Sequence, residues 1–470
     1  MASRTAGAED ATGATLRLGR WVAEAPRAWS EEAERRAASA FVDTVACMLA
    51  GADDPAPRAA HAGVARWGAG SAVVAGTPQR LAAPWAALVN GTAAHALDYD
   101  DILEISNAHV SAVLVPALLA LGQERDVDGG SCVDAFIVGV EVLARLGEAL
   151  NTAHYFRGWH TTSTLGAPAA AAACARLIGL DAARTTAALG LATSLSSGTK
   201  CQFGTMAKPL HAGLAAKNGI MAAALAEAGV TAAADAYEGA RGFVELFAGV
   251  PRERLEAAVA DFGAPPAIER HGLWQKVYPC CGSVHRPLDA LLDMRGNGAL
   301  RPQAVAGIDA LLAEIETHNL PYAAPADAMQ ARFSLPYLLA SALVDGRLAL
   351  DAFTGEALAR PDVRSLIPRI RMRPDPDQPG GADAGAMTLQ ATVTVRLAGG
   401  DERSHTVQEP RGHPCRPLGR DALHAKFVDC ASRALPQAAC DAAFAALDGL
   451  AAARSLDAVT SHLGAGHGQG

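Results

Sequence analysis

The sequence predicts a mainly α fold: a large all-helical domain built from both chain ends, with a smaller α+β domain inserted between them. First, apolar residues recur at three- and four-residue spacing from residue 14 to about 265. Second, strict alternation appears in "TLQATVTVRLAGGDERSHTV", which no helix would place on one face. Third, helical spacing returns after "EPRGHPCRP" and holds to about residue 455. The expected boundaries are a flexible N-terminus at 1–13, helical segments at 14–265 and 409–455, the α+β unit at 266–408, and a flexible tail at 456–470.

In "SEEAERRAASAFVDTVACMLAG", Ser30 is placed to cap a helix that closes at Gly51. "SAVVAGT" (71–77) reads as a short strand or hairpin arm. "VDAFIVGVEVLARLGEAL", "AAAAACARLIGL" and "LHAGLAAKNGIMAAALAEAGV" read as helices, with Gly179, Gly190 and Gly229 as expected C-caps. Beyond residue 266, "LWQKVYP" looks extended and "GIDALLAEIETHNL" reads as a strand. "SLPYLLASALVDG" is helical, with Pro336 in its first turn. Leu389, Ala391, Val393, Val395 and Leu397 share one strand face, and Gly399-Gly400 supplies the hairpin turn.

Composition excludes several function classes. The net charge of -9, without a long Lys/Arg run, argues against a nucleic-acid partner. No run of 18 apolar residues is present, so no membrane span is expected. The N-terminus lacks an apolar signal region, and the nine cysteines are odd in number without C-x-x-C, so a reducing, cytoplasmic location is expected. Those cysteines supply neither a zinc ribbon nor a cluster site.

Four stretches carry candidate chemistry. In "HALDYDDILE", three aspartates crowd against His95, and Asp98 would share its helical face if the helix continued. Asp100, Asp101 and Glu104 also spell D-D-x-x-E, the magnesium motif of class I terpene cyclases; the second metal motif and aromatic-lined cavity of those enzymes are not evident. In "GWHTTSTLGAPAAAAACARL", His160 precedes a helix start capped from Thr161, Thr162 or Ser163, a position that favours anions. In "AKPLHAGLAAKNG", Pro209 suits the first helical position, which would make Lys208 the cap and set its charge over a second helix start. In "KVYPCCGSVHRPLDA", Lys276, His285 and Arg286 flank a turn into a helix. Taken singly, each has a structural alternative: capping, a buried imidazole or a solvated face. Together they describe a site for a carboxylate-rich ligand.

These segments, with "NGTAAHALDYDD" and "QARFSLPYLLASALVDG", occur in an order that resembles the MmgE/PrpD family over roughly residues 15–450. That family includes 2-methylcitrate dehydratase, cis-aconitate decarboxylase and iminodisuccinate epimerase. The resemblance implies a helical domain, a smaller α+β lid, a site between them that uses no metal or other cofactor, and a homodimer. It implies catalytic roles for Asp98, His109, His160, Lys208, His285 and Tyr155, with Tyr322, Thr161 and Lys276 at the substrate. Ile102 and Val110 depart from the threonine and proline many members carry there.

The implied chemistry is proton abstraction beside a carboxylate. Lysine and histidines hold the substrate and stabilise developing negative charge, while an imidazole or Lys208 takes the proton and a second acid returns one. Asp98 is expected to fix the tautomer of a neighbouring histidine. The expected activity is a lyase, dehydratase or decarboxylase, acting on a small di- or tricarboxylic acid. An epimerase using the same site is the first alternative, and a non-catalytic helical scaffold the second.

Overall fold

The computed structural model describes residues 13–263, 265–296, 300–378 and 389–464. Most of the expected N-terminal segment and the end of the expected tail lie outside these residues. The fold is mainly α, as predicted. Among the described residues no helix is long and apolar enough to cross a membrane.

One large apolar cluster gathers buried residues from Ala14 to Ile268 and adds Leu423, Phe427, Phe444 and Leu463 from the C-terminal end. Ser30 caps helix Glu31–Gly51, accepting from the Ala33 amide at 3.0 Å. Alanine and glycine in this cluster allow helices to approach closely. Helix Ala83–Ala96 crosses helix Ala207–Glu227 so tightly that a Cβ on Gly91 would lie 2.8 Å from the Gly213 Cα. A methyl group there would force the helices apart, at about 1–3 kcal/mol. This crossing matters for the site, because the first helix carries His95 near its end and the second carries Lys208 near its start.

A second apolar cluster spans Tyr278 to Val407. The first two strands, β1 (Ala72–Val73) and β2 (Arg80–Leu81), form a small hairpin outside it. Its own sheet contains β3 (Val305–Leu312), β4 (Ile370–Pro374), β5 (Ala391–Leu397) and β6 (Glu402–Val407), in spatial order β4-β3-β5-β6. β3 and β4 are parallel, which requires the long crossover holding helix Leu335–Asp345; the other pairs are antiparallel. Ala391, Val393 and Val395 are fully buried, as their alternation predicts.

Three local expectations are corrected. Gly190 is no C-cap: it lies inside helix Ala182–Leu195, where a Cβ would come within 2.6 Å of Ala232 Cβ, so close packing explains it. Gly179 and Gly229 do follow helix ends at positive φ. The predicted strand at 307–320 ends at Leu312 and gives way to helix Glu314–Thr317. Finally, helix Ala207–Glu227 starts one residue before Lys208, with Met206 at the cap position; Pro209 still falls in the first turn, where its missing N–H costs nothing.

Candidate active site

The cluster of aspartates is resolved by a helix that stops early. Helix Ala83–Ala96 ends before the aspartates, and Asp98 adopts a left-handed conformation with φ of 52°. Asp98 therefore leaves the face of His95, and the three carboxylates point to three different partners. Asp98 Oδ1 lies 3.1 Å from Lys208 Nζ and 2.7 Å from Lys276 Nζ. Asp100 meets His95 Nδ1 at 2.8 Å and His109 Nδ1 at 3.2 Å. Asp101 turns away and caps helix Ser111–Arg125, accepting from the Ser111 amide at 3.2 Å and from its hydroxyl. The expected pairing of Asp98 with a histidine thus falls mainly to Asp100; His109 Nε2 stands 3.8 Å from Asp98.

The remaining acid of D-D-x-x-E, Glu104, pairs with Arg286 at 3.0 Å and His413 at 2.8 Å, and Arg286 also approaches Glu316 at 3.4 Å. The motif's carboxylates do not converge. His95, Asp98, Asp100 and His109 do offer ligand atoms within 4.8 Å of one another. The charges nearby do not suit a cation at Asp98, which already faces the ammonium groups of Lys208 and Lys276.

Part of this cluster borders a cavity of about 490 Å³. Asp98, His109, His160 and Lys208 line it from the helical side; Cys281, Ser283, Asn319 and Phe333 line it from the residues around the larger sheet. Ile102 also lines it and is stitched to Trp274 by paired backbone hydrogen bonds of 2.9 and 3.0 Å, which hold the aspartate loop against the Lys276 segment. Val110 is buried at the start of helix Ser111–Arg125.

Electrostatics follow from burial. Burial by itself would raise the Asp98 carboxyl, but Lys208 and Lys276 outweigh it and hold the group well below the usual carboxylate range. Burial drives His95 down to about 3, so its neutral ring donates Nδ1–H to an ionised Asp100. Burial, reinforced by Lys208, likewise keeps His160 neutral. The aromatic faces of Phe203 and Phe333 lie 5.4 and 5.0 Å from Lys208 Nζ.

The other expected residues occupy supporting positions. Thr161 is buried and donates to the Asn107 carbonyl, while Thr162 Oγ1 accepts from the His109 amide at 3.1 Å; together they set the segment that carries His109. Tyr155 lines the cavity, but its hydroxyl donates to Asn319 Oδ1 at 2.6 Å, and the lysine over its ring is Lys200, at 3.4 Å. Burial pushes the Tyr155 phenol upward, which makes it a poor proton donor. Tyr322 donates to the Phe203 carbonyl at 3.1 Å and is not among the cavity-lining residues. His285 is fully buried between Trp274 and Tyr278, with ring centroids 5.3 and 5.1 Å away; Cys281, Gly282 and Ser283 line the cavity from the same turn.

Two residues were not singled out from sequence. His211 places Nδ1 3.0 Å from His160 Nδ1. Its signal was present, since it lies three residues after Lys208 and so on the same helical face. Lys426 had no local signal. Its buried ammonium pairs with Asp43 at 2.7 Å and donates to the carbonyls of Tyr99, at 2.9 Å, and Lys276, at 2.8 Å. One side chain thus pins both backbones from which the Asp98–Lys276 pair projects.

Comparison with known proteins identifies the family of this chain. Residues 16–255 match the MmgE/PrpD N-terminal domain, and residues 278–448 match the MmgE/PrpD C-terminal domain. The cis-aconitate decarboxylase of Mus musculus is 29% identical over 388 residues, covering 78% of this chain and 75% of that one. The cis-aconitate decarboxylase of Homo sapiens is 29% identical over 379 residues, covering 78% and 76%. That of Aspergillus terreus is 27% identical over 442 residues, covering 88% of each. With two adjoining family domains accounting for most of its length, this chain belongs to the MmgE/PrpD family.

Proposed function

We propose that the protein is a lyase that removes a group from a small di- or tricarboxylic acid, with decarboxylation of a cis-aconitate-like acid as the favoured reaction. The supporting observation is the meeting of Asp98, Lys208 and Lys276 beside the imidazoles of His109 and His160. Lys208 and Lys276 balance Asp98 and the nearby Asp100, so the cluster is close to neutral, and Lys208, which lines the cavity, offers its ammonium to the substrate. The neutral imidazoles supply and accept protons at neutral pH.

In this reading, a substrate carboxylate takes a place beside Lys208. The C–C bond to the departing carboxylate breaks, CO2 leaves, and the electron pair is held as an enolate-type anion by the ammonium charge. An imidazole then delivers a proton to carbon. Dehydration would use the same base to remove a proton and a second acid to protonate the leaving hydroxyl. Asp100 holds His95 and His109 in register throughout. The relatives named as cis-aconitate decarboxylases favour the first outcome.

The same reading carries a site that works without metal, an α+β unit that closes over the cavity as a lid, and a cytoplasmic homodimer. Epimerisation of a dicarboxylate is the second reading, since His109 and His160 bring two imidazoles to the same cavity. The deciding experiment incubates the protein with cis-aconitate, 2-methylcitrate, citrate and iminodisuccinate and follows products by NMR together with CO2 release. CO2 and a product one carbon shorter from cis-aconitate are expected. Inversion of iminodisuccinate alone would transfer the site to the epimerase reading, and no turnover of any acid would overturn the lyase.

A further inference from the structure

His160 and His211 make a contact unlike any other in the site. Their Nδ1 atoms stand 3.0 Å apart in buried surroundings. Among the described residues no carboxylate pairs with either ring, whereas His95 and His109 share Asp100. Gly198 backs the pair: its carbonyl accepts from the His160 amide at 3.1 Å, and a Cβ there would come within 3.3 Å of His211 Nδ1. Its φ of 116° suits glycine, so the backing segment is built for close approach.

Two nitrogens at this distance need one proton between them. Two lone pairs would repel, and two N–H groups would collide. One ring must therefore be the Nδ1–H tautomer and the other must accept. This fixes the outer edges as well. With the proton on His160 Nδ1, its Nε2 is a base on a ring that lines the cavity, and His211 carries Nε2–H. With the proton on His211 Nδ1, the His160 Nε2–H is an acid, and His211 Nε2 is bare. His211 is not among the cavity-lining residues, yet 8% of its surface remains exposed.

We infer that His160 and His211 form a two-imidazole proton relay connecting the cavity with solvent on its far side. This rests on the lyase reading for its substrate but not for its tautomers. To deliver a proton, His160 Nε2–H passes its proton to the carbanion, forming the C–H bond. His160 Nδ1 takes the proton from His211 Nδ1, and His211 Nε2 takes one from water. To remove a proton, each transfer runs in reverse. Each ring loses one proton and gains one, so neither accumulates charge. Burial and Lys208 lower both imidazoles, His211 to about 4, which keeps both neutral and ready for this exchange. A decarboxylase consumes one proton per turnover, and the relay supplies it without opening the cavity.

Two measurements test the relay. Long-range ¹H–¹⁵N NMR on histidine-labelled protein reads the tautomers without substrate. One Nδ1–H ring in the His160–His211 pair is expected; two Nε2–H rings would overturn the relay whatever the protein catalyses. The second is turnover in His211→Asn and His211→Phe. Asparagine keeps a hydrogen-bond partner for His160 but cannot pass a proton through to its far side. Both variants should lose about a hundredfold in kcat, as for a lost acid–base group, with a larger solvent deuterium effect and partial rescue by imidazole buffer. Wild-type turnover in His211→Asn would show that His211 only orients its neighbour. A wild-type protein idle on every acid would sink the lyase, while the NMR result would still decide the tautomers.

Discussion

Asp98 and Lys208 lie 110 residues apart in sequence and meet 3.1 Å apart, each almost fully buried. Lys276 joins the same oxygen, so a single carboxylate balances two ammonium groups in low dielectric. Removing it leaves charge uncompensated on both sides. Asp98→Asn should cost about 3–5 kcal/mol of stability, as for other broken buried pairs. It should also cut kcat/KM by about a hundredfold or more. Denaturant midpoints and kinetics on the same preparation check both.

Lys208→Ala and His160→Ala should each lower turnover by about a hundredfold or more, as expected for lost charge-stabilising and acid–base groups. Thermal midpoints measured alongside separate chemistry from misfolding. Near-normal rates in both variants would mean that this cavity is not where the reaction occurs.

Tyr322 acts through Phe203. Its hydroxyl donates to the Phe203 carbonyl, and a Cβ on Gly204 would lie 2.1 Å from the Tyr322 hydroxyl oxygen. Tyr322→Phe should cost about 1 kcal/mol, one hydrogen bond, and raise KM several-fold with little change in kcat. Gly204→Ala should be worse, since it adds a clash to a φ of 84°. A larger kcat loss in Tyr322→Phe than in Lys208→Ala would place the phenol at the reacting atoms instead.

Acid should destabilise the fold well before carboxylates titrate in bulk. Burial lowers His95 to about 3 and His154 and His211 to about 4, and pushes His109, His160 and His285 the same way. Unfolded histidines take protons near pH 6.5, so from there down to about 4 the unfolded chain binds more protons and stability falls. Burial raises Asp101 and Glu316 to about 7, and Asp43 and Asp54 upward, and these four act in the opposite sense. Six groups outweigh four. The urea midpoint should be lower at pH 5 than at pH 7; an equal or higher midpoint would contradict this balance.

Dialysis against EDTA should leave turnover unchanged, because the two lysines supply the positive charge a metal would bring. Loss of activity with recovery on adding a divalent cation would assign His95, Asp98, Asp100 and His109 to that ion.

Much of this was legible in the sequence, for local reasons. Ser30 caps as its spacing predicts, and the 389–397 alternation buries the expected face. Lys208 stands in the first turn of a helix, as the proline after it foretold, whereas Thr161, Thr162 and Ser163 lie inside a short helix instead of capping one, and His160 holds the cap position without a side-chain bond. What failed was set by tertiary structure. Gly190 looked like a helix end because glycine commonly is one; Ala232 packed against it gives the other reason. The partner of Asp98 was misjudged because one left-handed residue turned it from the histidines to the lysines. Lys426 was invisible because its partners come from three distant stretches of chain.

That last side chain sets an order of events during synthesis. The loops bearing Asp98 and Lys276 emerge from the ribosome well before residue 426, and until then nothing occupies the place between the Tyr99 and Lys276 carbonyls. A nascent chain halted ahead of helix Arg420–Ala431 lacks both this lock and the part of the main core supplied by Leu423, Phe427 and Phe444. The two loops are therefore locked only once residue 426 has been made, and chains truncated ahead of helix Arg420–Ala431 should be inert rather than partly active.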